Sequence, residues 1–400
     1  MASASQIFPL FEEDPFSEAA LADSVPVFRR LRELGPVAYL PELGIYAISH
    51  YDAVAAGLRL DSTLVSGQGV SFNVNLNGEA APRFATPITS DGETHRRLKK
   101  LEMRPLMPVA LAGLRERIEH LATQTVRKLA TGQTFEAMAE LASVIPRSIV
   151  VELVGLKGVG AQRMLAWSEA IFNANGPATV PRTNEGVPVL MDLASYSATL
   201  TREGVEPGSW ADRILDAADS GEITAPEAQG LIIDYVVPSL DTTILATGEL
   251  LFQLASLPGS LDLVREKPAM IPGIIDEAVR LASPIRGFTR FVASDYEVGG
   301  GVIPAGSRVV LLFASANRDE RHYPEPDRFL PERGPRDHLG WGLGVHSCTG
   351  RHLARLEMET LLACLAQEIE TIEFDEPARL INNSLQGFRS LPMRLRARKN

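Results

Sequence analysis

Apolar and polar residues recur along this chain with two periods, and each period predicts a different kind of element. Apolar residues spaced three or four apart predict helices, at 96–103, 110–129, 164–172, 228–257 and 272–281. Short runs rich in apolar and β-branched residues predict strands, near 37–40, 45–48, 302–312 and 391–395. Turn-forming pairs such as Pro207-Gly208 and Pro258-Gly259 separate these segments. We therefore expect a mainly helical fold with small β-sheets.

The composition is ordinary for a globular protein with a large core. Of the 400 residues, 45% are hydrophobic and 22% are charged. Since no linker, charge block or internal repeat divides the chain, we expect one domain over residues 1–400, with an irregular N-terminal segment at 1–20. The formal net charge of −11 argues against nucleic acid or an anionic membrane as the main partner.

Cysteine usage and the N-terminus bear on location. Two cysteines, Cys348 and Cys364, cannot form a disulfide framework, which fits a reducing compartment. The N-terminal residues are polar to acidic and lack the basic and apolar regions of a signal peptide, and no apolar run of membrane length is evident. We expect a cytoplasmic protein with no membrane partner.

The segment HLGWGLGVHSCTGRHLAR, from His338 to Arg355, carries the most specific chemistry of the chain. It places Cys348 in a glycine-rich loop that runs into a helix predicted to start near Thr349 or Gly350. The free N–H groups at that helix N-terminus should point towards the sulfur and favour a thiolate. A thiolate held in this way is what an axial haem-iron ligand requires. A buried structural cysteine is the alternative, and the surrounding pattern argues against it.

This loop resembles the haem-binding loop of the cytochrome P450 family. Gly344, His346, Cys348 and Gly350 match the family pattern, and Trp341 stands where the family usually has Phe. The Trp341 indole N–H could reach the sulfur and alter the redox potential. The resemblance covers nearly the whole chain. It implies the triangular cytochrome P450 fold, with haem b between a long distal helix and the proximal helix that follows the cysteine loop.

The resemblance also implies further contacts to the haem, with Cys348 binding the iron. By family position, the two propionates are expected to meet His346, Arg290, His95 and Lys99, while Trp341 and Gly342 contact the ring. Lys99 stands where the family usually has Arg, and lysine lacks the bidentate fork of arginine. Arg97 is therefore an alternative partner for a propionate.

Glu277 and Arg280, in IIDEAVRLASP, match the family's Glu-x-x-Arg pair. The resemblance implies that Arg333 completes a buried charge triad, with the structural role of holding the cysteine loop. An exposed ion pair of little energetic weight is the alternative for this spacing.

The segment LIIDYVVPSLDTTILATGELLFQLA is expected to form the long distal helix. Asp241 and Thr242 match the family's catalytic acid–alcohol pair, in which the alcohol positions a water and the acid relays protons from solvent. A helix-interior Asp-Thr-Thr without a chemical role is the alternative. Because Pro238-Ser239 replaces the family's usual Ala-Gly, we expect a kink and a widened, hydrated groove.

Several stretches are similar to bacterial monooxygenases that demethylate para-methoxybenzoates, among them IFNANGP, SANRD and INNSLQGFRSLP. The expected substrate pocket includes Gln68, Phe72, Phe172, Asn175, Ile233, Asp234, Val237, Phe288 and Leu385. Where those enzymes bind the benzoate carboxylate, this chain has Gln68, Ile233 and Asp234. A carboxylate near Asp234 without a cation would be poorly stabilised, which favours a neutral methoxy-aromatic or phenolic substrate. The amides of Asn73, Asn75 and Asn77 could bind a substrate or serve only in turns.

These features predict a haem-thiolate monooxygenase that uses O2 and two external electrons to hydroxylate or O-demethylate a small aromatic substrate. Because no G-x-G-x-x-G turn for a flavin or nicotinamide is evident, an iron–sulfur ferredoxin and its NAD(P)H-dependent reductase should supply the electrons. The ferredoxin is expected to dock near Arg351, Arg96, Arg97 and Lys100. The alternatives are a hydrogen-peroxide-driven peroxygenase, a monooxygenase of a terpenoid or secondary metabolite, and a non-enzymatic haem sensor. The Asp241-Thr242 pair argues against the peroxygenase and the sensor.

Overall fold

Helices dominate the structure, as the apolar spacing predicted. The computed structural model describes residues 8–77 and 86–398. Within these ranges the α-helices are α1 (Glu18–Ala22), α2 (Ser24–Leu34), α3 (Tyr51–Gly57), α4 (Gly92–Met103), α5 (Pro108–Leu111), α6 (Arg115–Leu129), α7 (Val144–Val154), α8 (Val159–Ala174), α9 (Pro181–Ala198), α10 (Trp210–Asp219), α11 (Ala225–Val236), α12 (Asp241–Ser256), α13 (Ser260–Glu266), α14 (Ile271–Ala282), α15 (Phe313–Ala316) and α16 (Arg351–Glu368).

The strands are short and lie mainly near the two ends of the chain, with β4 between them. Their bounds are β1 (Val37–Leu40), β2 (Ile45–Ile48), β3 (Leu64–Val65), β4 (Thr131–Glu136), β5 (Phe288–Val292), β6 (Tyr296–Val298), β7 (Gly301–Ile303), β8 (Arg308–Leu311), β9 (Ile369–Phe374), β10 (Ala378–Arg379), β11 (Phe388–Ser390) and β12 (Pro392–Ala397). The described strands form a sheet ordered β1-β2-β8-β5-β3, a second ordered β4-β12-β9, and the ribbons β6-β7 and β10-β11.

The five-stranded sheet positions one wall of the site. Strand β5 runs antiparallel to β8, with Phe288 opposite Leu311 and Arg290 opposite Val309. Because side chains alternate along a strand, Phe288 and Arg290 point to the same face of the sheet.

Several predicted elements have the observed bounds, and others are divided. Strands β1 and β2 match the predicted 37–40 and 45–48, and α4, α8 and α14 contain three of the predicted helices. The predicted helix at 110–129 is instead α5, a 3₁₀ turn at Ala112–Leu114 and α6, because Gly113 weakens the helix there. The predicted strand at 302–312 is divided by a turn in which Gly306 has a φ of +85°. Helix α1 begins at Glu18, inside the segment expected to be irregular.

The predicted long distal helix is also divided, into α11 and α12, with 237–240 between them. Pro238 has no N–H to continue the helical ladder, so carbonyl groups on its N-terminal side lose their usual partners. Three hydroxyls donate hydrogen bonds to carbonyls at the break: Ser239 to Tyr235 at 2.5 Å, Ser168 to Val237 at 2.5 Å and Thr242 to Pro238 at 2.7 Å. The expected kink is therefore a full break, stabilised by side chains on both α8 and α12.

The segment Ala225–Ser256 corrects the expectation that no apolar run of membrane length exists. By length and composition this segment could cross a membrane, yet 72% of its apolar stretch is buried inside the protein. A helical pair that packs on all sides in the core has this same composition. We therefore assign this segment to the hydrophobic core of the protein.

The core places the cysteine loop opposite the distal helices. One hydrophobic cluster joins α12, α14 and α16 through residues such as Leu250, Ala278, Met358 and Leu362. Because α16 begins directly after the cysteine loop, this packing fixes the loop relative to α12.

Candidate active site

A cavity of about 370 Å³ lies between the break in the distal helices and the cysteine loop. Its size is within the range of small-molecule sites. The walls are mostly apolar, and of the two cysteines of the chain only Cys348 is part of them. Cys364 is buried in α16, where its sulfur lies 3.7 Å from the Thr123 hydroxyl.

The cysteine loop is held by its own backbone. The Cys348 N–H donates to the Trp341 carbonyl at 2.8 Å, and Gly342 and Gly344 have φ values of +64° and +70°. A Cβ at Gly344 would lie 2.4 Å from the Leu58 carbonyl oxygen, so only glycine fits between the loop and the end of α3.

The Cys348 thiol contradicts one expectation of the sequence. The N–H groups of Gly350 and Arg351 do point at the sulfur and lower its pKa, but burial raises the pKa by more. Part of the Cys348 side chain is nevertheless exposed. This exposed surface faces the cavity and not the outside of the protein, because Cys348 is part of the cavity wall. The helix N-terminus alone therefore does not favour the thiolate, and a cation at the sulfur is needed to do so.

The polar atoms that line the cavity indicate whether a haem would fit there. Trp341 Nε1 and His346 Nε2 are buried and have no hydrogen-bond partner among the described residues. The expectation that the Trp341 indole reaches the sulfur is wrong, because its N–H bonds to nothing described. Two free ring nitrogens, a thiol and a buried guanidinium around one cavity fit a planar anionic cofactor with a metal centre.

The four expected propionate partners all line the cavity but differ in what they bind. Arg290 is buried, donates to the Thr289 carbonyl at 2.8 Å, and has its pKa lowered to about 10 by burial. His346 packs on His95 with ring centroids 4.2 Å apart, and burial lowers the pKa of His346 to about 4. His346 Nε2 lies 3.9 Å from the Asp91 carboxylate, too far for a hydrogen bond.

His95 and Lys99 are committed to the backbone instead. Lys99 Nζ donates to the carbonyls of Val345 and Ser347 at 2.6 and 2.5 Å. The two ring nitrogens of His95 lie 2.8 and 3.1 Å from the carbonyls of Pro87 and Val345. Both side chains therefore tie α4 to the cysteine loop, and Arg290 and His346 are the better placed of the four to meet propionates.

Arg97 is not an alternative partner for a propionate. It pairs with Glu227 on α11 and does not line the cavity. On α4, residue 97 points away from the face that carries 95, 98 and 102.

Asp241 and Thr242 begin α12, and they face different surroundings. Thr242 lines the cavity, while Asp241 does not. Asp241 Oδ2 is buried without a partner among the described residues, and burial raises the pKa of this carboxyl to about 7. The Ser168 hydroxyl and Arg389 lower that pKa in part, and Glu169 raises it.

Six of the nine expected substrate contacts do line the cavity: Phe172, Asn175, Ile233, Asp234, Val237 and Phe288. Three do not. Phe72 packs edge-on against Phe16 at 4.9 Å, and Leu385 is fully buried in a bridge with Ile285. Gln68 lies between cavity-lining Gly67 and Gly69, and its carbonyl accepts a hydrogen bond from Arg308 at 2.8 Å. All three residues lie outside the regular helices and strands, where the apolar period gives no direction.

The asparagines before the pocket act in turns. Asn73 accepts from the Asn75 N–H at 3.0 Å and donates to the Ala174 carbonyl at 3.3 Å. Asn77 donates to the Ser71 carbonyl at 2.7 Å, and none of Asn73, Asn75 and Asn77 lines the cavity. Residues 78–85, which continue the loop after these asparagines, lie outside the described residues.

Two buried carboxyls on the cavity wall were missed by the sequence interpretation. Glu102 and Glu357 both line the cavity, and burial raises the pKa of each. Asp234 lies close enough to Glu102 to raise the pKa of Glu102 further, while Lys99 lowers it. The helical period could have revealed Glu102, because it follows the buried His95 and Leu98 on one face of α4.

Glu277, Arg280 and Arg333 do meet behind the cysteine loop. Both Glu277 and Arg280 are fully buried, with two hydrogen bonds of 2.7 and 2.8 Å between them. Arg333 Nε donates to Glu277 at 3.1 Å, and Arg280 also donates to the Asn317 and Pro326 carbonyls.

The cytochrome P450 family model matches residues 211–392. Cytochrome P450 CYP199A2 of Rhodopseudomonas palustris is 33% identical over 384 residues, which cover 96% of this chain and 93% of that protein. The β-dihydromenaquinone-9 ω-hydroxylase of Mycobacterium tuberculosis is 30% identical, over 96% of this chain and 78% of that protein. The crystal structure of CYP108D1 from Novosphingobium aromaticivorans is similar with a TM-score of 0.82 and 27% identity, over 95% of this chain and 97% of that chain. The chain therefore belongs to the cytochrome P450 family of haem-thiolate monooxygenases.

Proposed function

We propose that this cytochrome P450 hydroxylates or O-demethylates a small, neutral aromatic compound, either a methoxy-arene or a phenol. The observation that carries the proposal is the Asp234 carboxyl on the wall of a cavity that also contains Phe172 and Phe288. Burial raises the pKa of Asp234, and the Ile88 N–H and Thr86 hydroxyl are its hydrogen-bond donors. A second carboxylate placed there would meet an acid rather than a cation.

Cations on the cavity wall are committed elsewhere. Among the described lining residues, Lys99 and Arg290 carry the fixed positive charges, and Lys99 donates to two carbonyls of the cysteine loop. Arg290 and His346 would hold the haem propionates, and the Cys348 thiolate would bind the iron. Haem bound there supplies the activation of O2 for insertion into a C–H bond.

Thr242 and Asp241 are proposed to manage protons. The Thr242 hydroxyl, on the cavity wall, would position a water, and the Asp241 carboxyl would pass protons from the protein surface to it. A carboxyl whose pKa lies at about 7 can gain and lose a proton under neutral conditions. For an aryl methyl ether, O2, two electrons and two protons would give a hydroxymethyl ether and water, and the ether would release formaldehyde and a phenol.

The electrons are proposed to come from a ferredoxin and its NAD(P)H-dependent reductase, in the cytoplasm. Arg96, Lys100 and Arg351 are exposed and are the proposed docking residues. Arg97 is a poorer candidate, because its charge is paired with Glu227.

Replacement of Thr242 tests the proton role. Thr242→Ala should keep consuming NADH and O2 with ferredoxin and reductase, but yield several-fold less product and more hydrogen peroxide. Thr247→Ala, five residues further along α12 and not on the cavity wall, is the matched control. Unchanged coupling in Thr242→Ala would overturn the assignment, and equal turnover with hydrogen peroxide alone would favour a peroxygenase.

A further inference from the structure

His338 begins the segment that leads to Cys348, and its imidazole ring is held at both nitrogens. It directly precedes the 3₁₀ turn Leu339–Trp341, and its side chain is only 1% exposed. His338 Nδ1 accepts a hydrogen bond from the Gly340 N–H at 3.2 Å. On the other side of the ring, His338 Nε2 lies 3.4 Å from the Asp276 carboxylate of α14. The ring therefore joins the start of the cysteine loop to a core helix.

The contact with Gly340 determines which nitrogen of His338 carries the proton. A backbone N–H can only donate, so Nδ1 is the unprotonated acceptor and the proton of the neutral ring lies on Nε2. The Nε2–H group then faces the Asp276 carboxylate, which can only accept. The acid thus holds the ring in the tautomer and orientation that the Gly340 N–H requires.

Asp276 is itself fixed by a cation from the far end of the cysteine loop. Its carboxylate pairs with Arg355 on α16, and its Oδ2 lies 3.3 Å from Arg355 Nη2. Burial alone would raise the pKa of Asp276, but the hydrogen bonds from His338 and Arg355 lower it below its ordinary value. One ionised side chain on α14 therefore contacts the residue that begins the loop and a residue in the helix that follows it.

The turn that His338 holds also carries a backbone acceptor for the iron ligand. The Trp341 carbonyl, at the end of this turn, accepts from the Cys348 N–H at 2.8 Å. Gly340 and Trp341 both line the cavity. A Cβ at Gly340 would lie 2.8 Å from the Val279 side chain, so the turn packs closely on α14. A displacement of the turn would therefore move Cys348 and one wall of the cavity together.

We propose that His338 and Asp276 are positioning residues for the Cys348 thiolate. Asp276 orients the His338 ring, the ring holds the turn that bonds the Cys348 N–H, and Arg355 keeps the acid in place. The inference rests on the haem-thiolate chemistry of the family and is independent of the proposed substrate. A role in packing alone would change the stability of the fold but not the properties of the iron.

Replacement of His338 in the holoenzyme tests the proposal. His338→Leu keeps an apolar body and removes both hydrogen bonds. In the ferrous carbon monoxide complex, the ratio of the thiolate-ligated form to the thiol-ligated form should fall roughly fivefold, the size of one lost hydrogen bond. The two forms have different Soret bands, so the ratio is read from an absorption spectrum. His338→Asn should restore most of the thiolate form, because an asparagine oxygen can accept from the N–H two residues further on.

The reduction potential of the iron provides a second readout that does not depend on turnover. It should rise in His338→Leu and in Asp276→Asn, because a less firmly held thiolate stabilises the ferric iron less. It should return towards the wild-type value in His338→Asn. Asp276→Asn keeps the size of the side chain, so it decides the matter if His338→Leu folds too poorly to bind haem.

His322→Asn is the matched control, since it removes another histidine–aspartate contact. His322 Nε2 lies 2.7 Å from Asp337, and the His322 side chain is 29% exposed. This variant should leave the potential and the spectrum unchanged.

The outcomes separate positioning from packing. An unchanged potential and spectrum in His338→Leu, with a lower free energy of unfolding in urea, would show a role in packing and overturn the proposal. Wild-type values in Asp276→Asn would overturn the role of the acid. Equal losses in His338→Leu and His338→Asn would show that the bond to the Gly340 N–H is irrelevant and would also contradict the proposal.

Discussion

At Cys348, burial and backbone hydrogen bonds act on the same sulfur in opposite directions. The N–H groups of Gly350 and Arg351 were expected from the helix start that follows the cysteine, and they are present. Their effect on the pKa is smaller than that of burial, which no local pattern around one cysteine reveals. The residue pattern predicted the iron ligand and its hydrogen-bond donors. The net shift in the pKa of Cys348 also depends on burial by the rest of the protein, which the pattern does not show.

Asp241 leads to a prediction about pH and stability. Burial raises its pKa to about 7 in the folded protein, against about 3.9 in an unfolded chain. The folded state thus binds this proton more tightly than the unfolded chain does. Proton binding therefore stabilises the folded state fully at pH values below the pKa of the unfolded chain, and this stabilisation is lost as the pH rises through about 7. Asp241→Asn removes the dependence. Its unfolding free energy relative to wild type should therefore increase by roughly 2–3 kcal/mol between pH 5 and pH 8.

Urea unfolding of both proteins at the two pH values measures this difference directly. Other buried acids, such as Asp234 and Glu357, are present in both proteins, so their contributions cancel in the comparison. A difference between the two proteins that is the same at pH 5 and pH 8 would contradict the buried state of Asp241.

Among the elements, the pair α11 and α12 shows how far the pattern of the sequence reaches. The apolar period correctly indicated helix on both sides of 237–240, and Pro238 indicated a disruption there. A kink was expected, whereas the structure has a break. The difference depends on the Ser168 hydroxyl, which comes from another helix and stabilises the freed Val237 carbonyl. Such a contact between distant segments has no signature in local spacing.

The charge triad also shows that local spacing does not reveal burial, when its Glu277–Arg280 pair is compared with a second ion pair of the same spacing. Glu277–Arg280 and Asp262–Arg265 both lie three residues apart, yet the first is fully buried and the carboxylate of the second is 69% exposed. Spacing alone could not separate them. Burial makes the first pair costly to break, because a lost partner leaves a charge without compensation.

Glu277→Gln should therefore destabilise the protein by about 3–5 kcal/mol, because Arg280 and Arg333 keep their charges. Glu152→Gln is the matched control, since its exposed pair with Arg117 should contribute less than about 1 kcal/mol. Urea unfolding followed by tryptophan fluorescence provides both values. Equal, small losses in the two variants would show that the triad has no structural role.

Over the whole molecule, the cavity is assembled from segments that are far apart in the chain. Strand β5 supplies Phe288 and Arg290, α8 supplies Phe172, α11 supplies Asp234, and the loop before α16 supplies Cys348. The two-residue period of FTRFVA could predict that Phe288 and Arg290 share a face. Pocket residues on regular elements were predicted well for this reason. Gln68, Phe72 and Leu385 were not, because they lie outside the regular helices and strands, where the period gives no direction.

An optical titration of the purified ferric protein can distinguish a neutral substrate from a carboxylate substrate. The ligands are para-methoxybenzoate and its methyl ester, which have nearly the same shape and differ in charge. A ligand that displaces water from the iron shifts the haem from low to high spin without any redox partner. We predict that the ester shifts the spin state at a concentration at least about tenfold lower than the acid. The acid would meet the Asp234 carboxyl, and Lys99, the cation that acts on Asp234, already donates to the cysteine loop. A tighter shift with the benzoate than with its ester would contradict this prediction.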